Sequence, residues 1–96
     1  MVIDMARARR RKILKGLAAK LGKSVSEVKS EFMRNVMTAL KLYVGKESFG
    51  TIEAWRDVLR RYLGTFLNTA YDLAEKLGRV PTPQEILEAV RTKVVA

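Results

Sequence analysis

"EKLGRVPTPQEI" (residues 75–86) spells out in one short run how a helix ends and the next one begins. Gly78 follows Leu77 at the position where a left-handed residue caps a helix C-terminus. Thr82 then stands as N-cap, and Pro83 takes the first helical position, where its missing N–H costs nothing. Glu85, three residues after Thr82, completes a capping box. "AKLGKSVSEV" (19–28) uses the same chemistry, with Gly22 as the stop and Ser24 and Glu27 as the box. The two turns share Lys-Leu-Gly-basic, then Ser/Thr-x-x-Glu-Val/Ile. Good stop-and-start chemistry accounts for that likeness without an internal repeat.

Working outward from these turns, the chain reads as all-α. Sustained period-2 alternation is missing, and so are Asn-Gly and Asp-Gly hairpin turns. The first helix spans about 8–21, with Ile13, Leu14, Leu17 and Leu21 inside an arc of about 100°. The second spans 24–44, and its apolar residues, from Val25 and Val28 to Leu40 and Tyr43, cover half its circumference. That breadth implies a place between two neighbours. "GKESFGT" (45–51) interrupts the pattern with two glycines. The third helix, 51–77, carries a stripe from Trp55 through Leu59, Tyr62, Phe66 and Ala70 to Leu77. Asp57/Arg61 and Asp72/Lys76 are acid-first pairs four residues apart. Gly64 marks either a close approach or an unoptimised position. The fourth helix, 83–93, presents Ile86, Leu87, Val90 and Val94. The expected architecture is a compact four-helix bundle, one domain over 8–96, behind a flexible basic leader at 1–7. Broad apolar faces in so short a chain also point to a homodimer or larger homo-oligomer.

Charge is the second informative feature. Residues 6–23 hold eight Lys or Arg and no acidic residue, within a chain of net charge +9. Residues 1–48 carry 12 basic and 4 acidic groups, against 7 and 6 in residues 49–96. One end is therefore strongly positive and the other nearly neutral. The chain has no Cys and no His, so disulfides and thiolate or imidazole metal sites are excluded. Histidine is also missing as a base near neutral pH, and no phosphate-cradling glycine loop or EF-hand pattern occurs. The expectation is a non-enzyme without cofactor or metal. No apolar run reaches the ~18 residues of a membrane span, and no apolar segment of secretory type follows the basic start. The first helix also lacks Trp or Phe for lying on a membrane. A cytoplasmic or nucleoid-associated chain is expected, and the charged, Asn- and Gln-poor composition suits a thermophile.

An outward cationic helix fits a polyanion, because duplex DNA carries a charge every ~1.7 Å. The candidate phosphate contacts are Arg9, Arg10, Arg11, Lys12 and Lys15, with Lys23, Lys29, Arg34, Lys46 and Arg79 extending the surface. Arginine suits bidentate phosphate contact. Duplex DNA is favoured, and RNA is the second choice.

Two resemblances sharpen the expectation by different geometries. "LAAKLGKSVSEVKSEF" (17–32) resembles a helix-turn-helix, with Ala18 four residues before Gly22, Ser24 opening the second helix and Val28 pointing inward. That resemblance implies that Ser26, Lys29, Ser30 and Arg34 face the major groove; Lys23 departs from the usual apolar residue. Residues 48–94 resemble the archaeal histone fold, through "AYDLAEKLGR" followed by "PQEILEAVR". That likeness implies an Arg79–Glu85 pair, dimerisation and loop contacts to DNA that include Lys46. The function expected is architectural or regulatory DNA binding. The alternative is a helical interaction or assembly subunit, viral nucleoprotein-like included, whose basic end meets an acidic partner and whose Met33 and Met37 lie in an oligomer interface.

Overall fold

Glycine and hydroxyl caps divide the chain into four helices in a computed structural model that describes the backbone of residues 5–45 and 50–95 and the side chains of residues 7–45 and 50–93. They are α1 (Met5–Leu21), α2 (Val25–Val44), α3 (Ile52–Leu77) and α4 (Pro83–Val95). Helix α1 begins three residues earlier than the sequence suggests, so residues 5–7 belong to it and not to a leader. Residues 1–4, Lys46 and the side chain of Val94 lie outside the described residues.

Each boundary has a local cause. Gly22 and Gly78 take left-handed φ values of +67° and +69°. The Lys23 N–H donates to the Ala18 carbonyl, and the Gly78 N–H to the Ala74 carbonyl, so carbonyls left open at the helix ends are used. Ser24 and Glu27 form the reciprocal capping box expected of them. Thr82 and Glu85 do the same at the start of α4, at 3.2 and 2.9 Å. Thr51 caps α3 by accepting from the Ala54 N–H.

Packing explains the broad apolar face of α2. This helix touches α1, α3 and α4, whereas α1 and α4 do not meet among the described residues. Its fully buried Val28, Phe32, Val36, Ala39 and Leu40 are thus shared among three neighbours of the same chain, one more than its width suggested. Much of the breadth of α2 is taken up inside one chain, while Val25 stays 39% exposed at its start. From α3 come Val58, Phe66, Ala70 and Ala74, and from α4 Ile86, Leu87 and Val90. Leu14, Leu17 and Ala18 seat α1. Each of the Val, Leu, Ile and Phe side chains among them contributes roughly 1.5–3 kcal/mol of transfer free energy when fully buried, and each alanine less.

Three details differ from the sequence reading. Tyr71 is buried because α1 and α2 both reach it: Phe32 stacks on its ring at 4.6 Å, and the Arg10 guanidinium sits 5.5 Å from its centre. Leu21 and Leu77, each assigned to an inward stripe, end their helices 42% and 40% exposed. A Cβ on Gly64 would meet nothing within 4 Å, so no close approach requires that glycine.

Candidate nucleic-acid interface

Helix periodicity splits the basic residues of α1 into two groups. Arg9, Arg10 and Lys20 turn toward α3, and Arg11, Lys12 and Lys15 turn toward solvent. Arg9 donates to Asp72 at 2.8 Å and also to Glu75. That hydrogen bond holds the Asp72 carboxyl below its ordinary range and raises the Arg9 guanidinium. Arg10 donates to the Asn68 side chain at 2.6 Å and Lys20 to the Gly78 carbonyl at 3.2 Å. These side chains fasten α1 to α3. Asp72 is shared with Lys93 at 3.6 Å and does not take up Lys76, its expected partner; Asp57 and Arg61 do pair, at 3.3 Å.

Arg11, Lys12 and Lys15 are exposed and have no ion pair or side-chain hydrogen bond among the described residues. The same holds for Lys29 and Arg34 on α2. Lys23 makes a loose pair with Glu31 at 3.6 Å. Arg79 grips both Glu85 oxygens at 2.7 and 2.8 Å, within the α3–α4 turn. That grip, with the Thr82 N–H, pulls the Glu85 carboxyl down to about 2. The Arg79–Glu85 pair is thus present and closes the turn, with the Arg79 side chain 48% exposed.

The N-terminal half of α2 stands between two grooves. Ser26, Ser30 and Arg34 line one of about 520 Å³, together with Lys23 and Glu31. Val25, Lys29 and Met33 line the other, of about 540 Å³. Arg10 and Arg11 reach this second groove from α1, and Tyr71 and Leu67 from α3. Arg10, Arg11 and Lys29 are thereby brought together, with Arg34 and Lys23 around the far side of α2. Lys12 and Lys15 point away from both grooves along the outer face of α1. Arg9 and Arg79 are held by carboxylates.

The receiving strip on α3 was missed in the sequence. Asn68, Tyr71, Asp72 and Glu75 follow the i, i+3, i+4, i+7 spacing of one helix face. A mixed polar strip beside an apolar one, complementary to a basic helix, was the available signal. Among the described residues no cluster of three or more Asp or Glu is placed to hold a metal ion, and no helix is long and apolar enough to cross a membrane. Comparison with protein-family models, characterised proteins and solved structures gives no match to this chain.

Proposed function

We propose that this chain binds duplex DNA through the corner formed by α1 and α2. Arg11, Lys12 and Lys15 contact phosphates along one backbone, and the exposed start of α2 faces the major groove with Ser26, Lys29 and Ser30. Lys23 and Arg34 flank it. The observation that supports this most is uncompensated charge: Arg11, Lys12 and Lys15 on α1 and Lys29 and Arg34 on α2 are exposed with no carboxylate in ion-pair reach, and Arg11 and Lys29 line one groove. Such a patch gains free energy by releasing counterions from DNA. Arg9, Arg10 and Lys20 serve the site indirectly, holding α1 against α3 so that the outer cations form a fixed surface. An exposed helix face suits the wide major groove of DNA better than the deep, narrow one of duplex RNA.

The test is a salt series of duplex binding by the Arg11→Ala/Lys12→Ala/Lys15→Ala variant. Its log K against log salt should be shallower by about 2.7, at about 0.9 per lost phosphate contact, with melting nearly unchanged. A slope equal to wild type removes these residues from binding. Competition between a selected site and random duplex separates regulator from architectural protein, with a ratio above ~10³ assigning a regulator.

The assembly reading has one observation in its favour. Ile52 is 70% exposed and shares a groove with Trp55. Apolar surface of that kind suits a second copy or a partner. A solution mass above 10.9 kDa by a whole multiple supports self-association.

A further inference from the structure

The groove between α1, α2 and α3 has a composition that phosphate binding does not require. Its rim carries the exposed Arg7, Arg11 and Lys29 and the half-buried Arg10, and no acidic side chain lines it. Its floor is apolar: Leu14 is buried, and Met33 and Leu67 are half-buried. The Tyr71 ring also lies there, but Phe32 stacks on it and the Arg10 guanidinium covers it. An incoming nucleobase would therefore have to displace one of them to stack. The volume of about 540 Å³ falls within the ~300–1,000 Å³ of small-molecule sites. Methionine adapts its shape to an unbranched chain, and the floor offers little hydrogen bonding with which to read a peptide or a sugar.

We propose that this groove binds an amphipathic carboxylate, its aliphatic chain on the Leu14–Met33–Leu67 floor and its anion on the Arg11 and Lys29 rim. Charge complementarity chooses the head group, and the apolar floor chooses the tail. Occupancy also opposes DNA binding, because it neutralises two cations that the duplex needs. This second half rests on the DNA-binding reading, and the first half does not.

The probe is dodecanoate, titrated calorimetrically into the full chain below its micelle concentration and without DNA. One dodecanoate should bind per chain, and dodecylamine, with the same tail and opposite charge, should bind at least about tenfold more weakly. Val25→Trp fills the groove from a position already 39% exposed, and Lys29→Glu inverts the rim. Each should weaken dodecanoate about tenfold while melting stays at the wild-type temperature. Equal affinity for the amine, or undiminished binding in Val25→Trp, overturns the site. An acidic amphipathic peptide that binds this groove where dodecanoate does not overturns it too, in favour of protein docking. Dodecanoate should then raise the apparent Kd for duplex DNA. Binding of dodecanoate to a chain that ignores DNA leaves the groove standing and ends the DNA reading. Binding of both without mutual interference ends the antagonism.

Discussion

At Gly22 and Gly78 the backbone makes nearly the same left-handed turn, and Ser24–Glu27 and Thr82–Glu85 build matching boxes just beyond. The anchors that follow, Val28 and Ile86, are both fully buried. Between stop and start, however, the α3–α4 turn has two extra residues, Val80 and Pro81. Both are buried, and Asn35 of α2 donates to the Pro81 carbonyl at 2.9 Å. The basic residue after glycine also differs in fate. Arg79 is clamped by Glu85, and Lys23 only brushes Glu31. One corner is thus locked into the bundle, and the other is left open with unpaired cations around it. Identical stop-and-start chemistry yields a closed joint or an open corner according to what the intervening residues bury.

The largest test of this contrast is stability at the locked corner. Ile86→Ala removes a fully buried side chain and should cost about 2–5 kcal/mol in urea denaturation. Val25→Ala at the open corner trims a side chain 39% exposed and should cost less than about 1 kcal/mol. A small loss at Ile86 would break the contrast. On a lesser scale, Asn35→Ala leaves the Pro81 carbonyl without its donor and should cost about 1–3 kcal/mol. Its neighbour Arg34→Ala should stay within about 0.5 kcal/mol and, on the proposed function, lower DNA affinity instead. The pair sharpens the division of α2 into a side that holds the fold and a side that the proposed function assigns to DNA.

Both corners were legible as turns, because capping chemistry is local and needs no knowledge of neighbours. All four helices were legible for the same reason, to within three residues at their starts. What α1 leans on was not legible. Whether Arg9 meets a phosphate or Asp72 depends on the rotation of α1 against α3, which is set by Leu14 and Leu17 finding their places in the core. Arg79 illustrates the opposite limit. Its pairing with Glu85 followed from a resemblance, and the structure contains it. Its two guanidinium nitrogens facing Glu85 are engaged by that carboxylate, so a phosphate would meet Arg79 only through its remaining exposed N–H groups. Charge content was readable from the sequence; which charges remain free depends on the packing.

The two glycines give a finer comparison. Ala at Gly22 or Gly78 must adopt positive φ, at about 1–2 kcal/mol. A Cβ at Gly22 meets nothing, but at Gly78 it comes within 2.8 Å of the Lys20 ammonium. Lys20 can swing away, at the loss of its bond to the Gly78 carbonyl. Gly78→Ala should therefore destabilise slightly more than Gly22→Ala, and the excess should vanish in a Lys20→Ala background. An excess that persists there would place its cause elsewhere in the turn.

The smallest effect concerns acid. Glu85 lies at about 2 in the folded chain, against an ordinary value of 4.5, chiefly because Arg79 holds its ionised form. A carboxylate lowered in this way contributes stability that is fully present above its unfolded value and lost as pH falls through the folded one. The window runs from about pH 4.5 down to about 2. Glu85→Gln should flatten the stability–pH curve across that interval, measured by urea denaturation at each pH. Lys23→Ala, which breaks a 3.6 Å pair between half-exposed groups, should leave that limb and the neutral-pH stability within about 0.5 kcal/mol of wild type. An acid limb that survives Glu85→Gln unchanged would assign the locked corner to Val80, Pro81 and Asn35 alone, with its ion pair a bystander.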